Sequence, residues 1–298
     1  MRGEMQSVKL SSHQITAFTE VFRQRSVTDA AAALGITQSA VTQHLSNLEK
    51  RIGAPLFTRY RSGLEPTKPA IELFALTDQM RVLEQLVSEK IGAYEMLSTG
   101  HLTVVANAPR PAMPLIAKFS KLFPGVKINF AVISWAASMQ RLEGSQVDIA
   151  IVTDPADLPG LYREEILTQK MVAILRRDHP LAKQESVSLN ELTANGLILP
   201  GEGTLTAREV RAVCNTHGVA LTDLIEMTTY PVMKEAVLHG LGVAIALEDS
   251  MYPEDELTYR PVREMDKLYK TYLVTTSGRK ALHFVRSFFD VATERELG

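Results

Sequence analysis

Between residues 37 and 50, short amide and hydroxyl side chains recur on one side of a stretch that otherwise reads as an amphipathic helix. In "GITQSAVTQHLSNLEKRIGAPLF" (35–57), Val41, Leu45, Leu48 and Ile52 step by four, three and four, which gathers them on one helical stripe. Ser39, Gln43, Ser46 and Lys50 face the other way, with Thr42 and Asn47 on the flanks. A merely solvated face favours Glu–Lys pairs at this spacing. Amides and hydroxyls are instead groups that hydrogen-bond to base edges: Gln pairs bidentately with adenine, and a hydroxyl serves several bases. Gln38, Ser39, Thr42 and Gln43 are therefore the candidate base contacts, and Thr37 at the helix start is a further candidate DNA-binding residue. Asn47 and Lys50, further along, are candidate phosphate contacts. Just beyond, in "PLFTRYRSGLEPT", Arg59 and Arg61 are two apart and point the same way on a strand. Two guanidinium groups side by side would clamp a phosphate backbone.

A second set of polar groups is spread through the last two thirds. There, short apolar runs such as "LTVVANA", "VKINFAV", "VDIAIV", "MVAIL", "LILP" and "GVAIAL" are separated by helical stretches, the alternation of an α/β domain with largely parallel sheets. Ligands of such sheets lie beyond the carboxyl ends of the strands, at helix N-termini. The corresponding loops are "NAPR", "SWAA", "TDP", "GEGTLT" and "TTYP", and they supply Asn107, Arg110, Ser134, Thr153, Thr204, Thr206 and Thr229 as candidate effector contacts. Trp135 is either a lid over the ligand or part of the core. Arg110, at a helix start, adds a full charge to the amide dipoles, which favours an anion such as a carboxylate or phosphate.

Catalytic and metal chemistry find no such support. Cys214 and His217 are the one pair with metal-like spacing, and a Cys and a His one helical turn apart usually serve packing. "HGLGVAIAL" holds Gly-x-Gly without the full dinucleotide fingerprint and precedes a strand instead of following one. Neither a phosphate-binding loop nor Gly-x-Ser-x-Gly occurs, and the pair Glu164-Glu165 reads as solvated surface. No cofactor and no metal are called for.

The elements that must position the first set are short helices. Ser12 can cap a helix whose Ile15, Phe18 and Phe22 share a face, Thr28 an Ala-rich helix that stops at Gly35, and Thr37 the helix already described. Two helices joined by a three-residue turn with Gly make a helix-turn-helix, and small Ala side chains let them cross closely. Strands 58–60 and 64–66 pair across Ser62-Gly63, which makes the unit winged. From 71 to about 97, Leu73, Leu76, Met80, Leu83 and Val87 step by three, four, three and four, and Ile91 and Tyr94 continue the stripe after a slip. Such a heptad seam calls for a partner helix. "LSTGH" (97–101) reads as a hinge.

Composition sets the frame. The 298 residues suffice for two domains, 45% are hydrophobic and 22% charged, and the formal net charge is −2. Residues 1–70 hold nine Lys or Arg against five Asp or Glu, and the remainder 23 against 29, so nucleic acid is expected at the N-terminal end. No apolar run approaches the roughly 18 residues of a spanning helix. "MRGEMQSVKLSS" lacks an apolar signal core, and a lone Cys214 suits a reducing compartment; a cytoplasmic location is expected.

These residues carry a resemblance. "TDAAAALGITQSAVTQHLSNLEKRIGAPLFTR" resembles the N-terminal domain of LysR-type transcriptional regulators through Thr37, Gln38, Ala40, Val41, Thr42, Leu48, Glu49, Gly53, Leu56, Phe57 and Arg59. Ser39 stands where that family often has Pro, and "TKPA" (67–70) replaces the usual Thr-x-Ala-Gly, which bears on the junction to the next helix. "FPGVKINF", "VDIAIV" and "DHPLA" resemble its effector domain, which implies a two-lobed fold like that of periplasmic binding proteins. The resemblance also implies dimerisation through the long helix and pairing of dimers into a tetramer.

The expectation is thus an all-α winged helix-turn-helix (1–70), a linker helix and hinge (71–99), and an α/β effector domain (100–298). Its lobe one is expected over about 101–168 plus 277–298, and lobe two over 169–276. The expected function is sequence-specific binding of double-stranded DNA under control of a small, anionic effector, in a homodimer or homotetramer with no membrane partner. Competing readings are an architectural DNA binder with a vestigial cleft and an α/β enzyme with a DNA-binding extension.

Overall fold

The computed structural model describes residues 11–60, 63–92, 100–250 and 252–294, with side chains at 90–92 left aside. Two compact units divide the chain near residue 95.

The N-terminal unit opens with α1 (Ser12–Gln24), α2 (Val27–Leu34) and α3 (Gln38–Ile52). Its core gathers Ala17, Phe18, Val21, Phe22, Ala30, Ala31, Val41, Leu45 and Leu48, with Leu56 and Phe74 from later elements. Two caps differ from the sequence expectation. Ser11, not Ser12, precedes α1 in extended conformation, and its N–H donates to Gln14 Oε1 at 3.3 Å. Ser26, not Thr28, caps α2 by accepting from the Asp29 N–H at 3.2 Å. In each case a neighbouring Ser or Thr offered the same chemistry, and the residue with extended backbone took the role. Thr37 caps α3 as expected, accepting from the Ala40 N–H at 3.2 Å. Gly35 adopts φ 65°, the left-handed turn that lets α3 depart from α2. Ile52 is 40% exposed at the last helical position, outside the core that its periodicity suggested.

Strands β1 (Phe57–Tyr60) and β2 (Gly63–Pro66) pair antiparallel from Phe57↔Pro66 to Tyr60↔Gly63. The Leu64 N–H donates to the Arg25 carbonyl at 3.1 Å and ties this hairpin to the end of α1. Arg61 and Ser62 lie outside the described residues. Helix α4 (Lys68–Gly92) starts three residues earlier than expected, with Pro69 in its first turn, where a missing N–H costs nothing. Phe74 stacks on Phe22 with centroids 3.9 Å apart, and Leu73 packs against the same core. Leu76, Met80, Leu83 and Val87 form an exposed stripe on the outer side of α4. Tyr94, the side chain of Ile91 and the hinge residues 97–99 lie outside the described residues.

The C-terminal unit contains two five-stranded sheets. The first holds β3 (Gly100–Ala106), β4 (Val126–Val132), β5 (Ile149–Thr153), β6 (Leu161–Gln169) and, returning late, residues 269–276. Helices α5 (Pro109–Leu122) and α6 (Trp135–Glu143) connect its parallel strands. The second sheet holds β7 (Met171–Arg176), β8 (Leu197–Pro200), β9 (Leu224–Met227), β10 (Val243–Leu247) and β11 (Leu257–Pro261). With it go α7 (Leu189–Thr193), α8 (Leu205–His217) and α9 (Tyr230–Leu238). Strand β12 (Tyr269–Thr276) and α10 (His283–Ala292) close the chain.

Two expectations need correction. Neither sheet is largely parallel: β12 runs antiparallel to β5 and β6, and β7 antiparallel to β10 and β11, so half of the neighbouring strand pairs in each sheet are antiparallel. The return to lobe one occurs before residue 269, not at 277, because β12 is an interior strand of the first sheet. Its alternate residues Tyr269, Thr271, Leu273 and Thr275 are all at most 1% exposed. The chain therefore crosses between sheets at 169–171 and again at 262–268. Among the described residues no helix is long and apolar enough to cross a membrane.

Candidate nucleic-acid interface and effector cleft

Helix α3 turns Val41, Leu45 and Leu48 into the core, so the polar side is forced outwards. Gln38, Ser39, Thr42, Gln43 and Lys50 are exposed, and Asn47 is half-buried. Thr37 Oγ1 and Ser39 Oγ lie 2.9 Å apart. The exposed Thr42 hydroxyl donates to the Gln38 carbonyl at 2.9 Å, which leaves its oxygen able to accept. Gln43 Nε2 donates to Asn47 Oδ1 at 2.9 Å. That bond fixes the Gln43 amide while leaving Oε1 and a second N–H for a partner. Asn47 thereby orients Gln43 as well as offering its own amide. Arg59 is exposed on β1. We expect Arg59→Ala to weaken binding to all DNA sequences alike. If one phosphate contact is lost, the log–log salt slope should fall in magnitude by roughly 0.9. An unchanged slope would remove Arg59 from the interface.

In the C-terminal unit the expected cleft residues fall into different classes. Asn107 is half-buried just after β3, and its N–H donates to the Ile151 carbonyl at 3.2 Å. Ser134 is exposed and accepts from the Ala137 N–H at 3.2 Å, while Thr204 accepts from the Ala207 N–H at 3.2 Å. Both hydroxyls are helix caps that keep a proton to donate. Thr229 is exposed before α9 and makes no side-chain cap bond.

Two threonines leave the ligand-facing set. Thr153 is 2% exposed, with Oγ1 2.9 Å from Thr271 Oγ1. Thr206 is fully buried, with Oγ1 3.1 Å from Tyr230 Oη. Their hydroxyls are held within the protein because the strand end and helix start that carry them pack inwards. Trp135 is half-buried: its Nε1 donates to the Thr153 carbonyl at 3.1 Å and it packs against the Val105–Met139–Leu142 cluster.

Arg110 sits in the first turn of α5, where Pro109 and Pro111 carry no N–H. Few free backbone donors remain there, so the guanidinium must supply most of the pull on an anion. That guanidinium is engaged: Nη1 meets Asp249 Oδ1 at 2.8 Å and the Glu248 carbonyl at 3.2 Å. Sequence reasoning missed Asp249, which follows β10 in the short 3-10 turn Glu248–Ser250 and has no local motif to announce it. It also missed Tyr230 and Gln169, whose partners are set only by the fold.

Cys214 is buried in the core of the second sheet and burial raises its thiol pKa, whereas His217 is exposed. No group of three or more potential metal ligands occurs among the described residues.

Comparison with known proteins gives this arrangement its place. Residues 12–70 match the family model described as "Bacterial regulatory helix-turn-helix protein, lysR family". Residues 97–296 match "LysR substrate binding domain". The chain is 27% identical over 242 residues to the RuBisCO operon transcriptional regulator of Allochromatium vinosum, covering 79% of each. It is 29% identical over 257 residues to the transcriptional regulator CbbR of Sinorhizobium medicae, covering 83% of this chain and 80% of that one. Full-length OxyR of Pseudomonas aeruginosa shares the fold at TM-score 0.75 and 16% identity, over 98% of this chain and 97% of that one. The matched families are transcription regulators, which sets aside the reading as an enzyme. Both matches follow the order of the two units, and the chain belongs to the LysR family of bacterial transcriptional regulators.

Proposed function

We propose that this regulator works in the cytoplasm as a homodimer formed through α4, with dimers pairing into a tetramer on DNA. In this reading Thr37, Gln38, Ser39, Thr42 and Gln43 face base edges, while Asn47, Lys50, Arg59 and Arg61 hold the phosphate backbone. The observation that carries it is the outward side of α3, where an amide held at one end by Asn47 leaves its other end free. Such an amide is ordered before binding, so less freedom is lost on contact. Selection from random DNA tests it. Gln43→Ala should relax the preference at one position of each half-site by about 1–3 kcal/mol while leaving non-specific affinity nearly unchanged. An identical selected sequence would move recognition elsewhere on the helix.

For the C-terminal domain we propose a small anionic effector held by Arg110, with Asn107, Ser134, Thr204 and Thr229 as the accessible polar groups around it. The full charge of the Arg110 guanidinium supports an anion over a neutral ligand, although Pro109 and Pro111 leave few free amides at this helix start. Mass spectrometry of material retained by the purified protein would identify the compound. A footprint on DNA that changes when the compound is added would separate a working cleft from a vestigial one. Coupling is reciprocal, so a ligand that alters operator affinity must itself bind differently when operator is present.

A further inference from the structure

Arg110 belongs to the lobe of the first sheet and Asp249 to that of the second, so their 2.8 Å ion pair joins the two lobes. The two side chains are 28% and 29% exposed, which leaves the pair accessible to a solute. Asp249 is also wired to the inter-sheet crossing. Its N–H donates to Gln169 Oε1 at 2.9 Å, Gln169 Nε2 donates to Thr271 Oγ1 at 3.0 Å, and Thr271 meets Thr153 at 2.9 Å. Gln169 ends β6 at the first crossing, and Thr271 lies in the strand entered from the second.

Tyr259 of β11 stands in the same neighbourhood. Its hydroxyl is buried and has no hydrogen-bond partner. Burial raises the pKa of this phenol, and the nearby charges of Arg110 and Lys234 oppose the rise. Lys234 is itself paired with Glu254 at 2.5 Å. A buried hydroxyl without a partner is costly, and an incoming acceptor would relieve it. The present occupant of Arg110 is a carboxylate, so the position accommodates that group.

We propose that Asp249 is a built-in competitor for the effector: a small carboxylic acid takes Arg110 from Asp249, with the Tyr259 hydroxyl as its second donor, and the exchange unlatches the lobes. This rests on the anionic reading of the cleft and names the ligand class. The competitor sets the threshold for response, because a ligand that cannot outbid one tethered carboxylate leaves the latch shut. Neutral and cationic compounds are excluded by the same contact.

Acetate, the smallest mimic of the displaced side chain, tests the exchange in the full-length protein. Thermal unfolding of the C-terminal unit is followed as acetate replaces chloride at constant ionic strength. D249A should respond to acetate at a concentration lower than wild type by about ten-fold, the order expected when a charge-assisted bond is freed. The R110A/D249A double variant should show no acetate-specific shift, and Y259F added to D249A should weaken the response several-fold. D249N, which keeps the side-chain volume and removes the charge, supplies the same comparison if D249A fails to fold. Equal acetate affinity in wild type, D249A and D249N, still dependent on Arg110, would overturn the competitor and leave the anionic cleft standing. An acetate response independent of Arg110 would overturn both.

Discussion

Leu83→Glu is expected to dissociate the dimer and, with it, to abolish tight operator binding. Leu76, Met80, Leu83 and Val87 repeat at four, three and four residues along α4 and are 61%, 46%, 61% and 57% exposed in the isolated chain. Four large apolar side chains in one line on a 25-residue helix fit the proposed seam for a coiled-coil partner. A carboxylate placed in that seam is taken out of water without a counter-charge, at a cost of several kcal/mol. At about 3 kcal/mol the dimer constant already weakens more than a hundred-fold. Half-site affinity should survive because Leu83 is remote from α3 in sequence and outside its core cluster. Sedimentation at micromolar concentration reads the mass directly, and a variant that sediments as wild type does would disprove this seam.

Asp148→Ala is expected to destabilise the C-terminal unit by about 3–5 kcal/mol, the range for stripping one partner from a buried ion pair. Asp148 pairs with Arg279, which is 4% exposed, and its other oxygen accepts from the Thr103 N–H at 2.8 Å. Removing the carboxylate takes the Asp148 counter-charge from a guanidinium in the interior and an acceptor from the Thr103 N–H of β3. For a unit of this size that lowers the thermal midpoint by roughly 10 °C. Replacing both partners, Asp148→Ala with Arg279→Met, should recover most of the loss, since no charge is then left buried. Calorimetry decides it. A double variant no more stable than Asp148→Ala would show that the charge is not what matters.

The DNA-reading unit was legible in the sequence because its information is local. The stripe Val41–Leu45–Leu48, the cap at Thr37 and the left-handed Gly35 lie within one short stretch, and each constrains the next. The misplaced caps there had one cause: neighbouring hydroxyls at 11–12 and 26–28 offer equal caps, and tertiary packing chooses between them. The effector domain was legible as a fold class and less so as a site. A hydroxyl at the end of a strand can stay exposed, as that of Ser134 does, or turn inwards, as that of Thr153 does, and the residue type is silent on which. β12 was assigned to the wrong lobe because a chain that crosses between sheets leaves no turn signal in "YKTYLVTT". Asp249 was invisible for the same reason, since its partner Arg110 is distant in sequence.

We propose that DNA reading and effector sensing reside in separate units, with Arg110 as the anchor of the second. Operator footprinting of Arg110→Ala, with and without the effector recovered from the purified protein, tests it most directly. Loss of one charge-assisted bond of about 1.5–3 kcal/mol should weaken effector binding ten-fold or more. The variant should therefore occupy its operator with undiminished affinity, and its footprint should stay the same when effector is added at a concentration that shifts the wild type. A footprint that shifts at the wild-type effector concentration would contradict the claim.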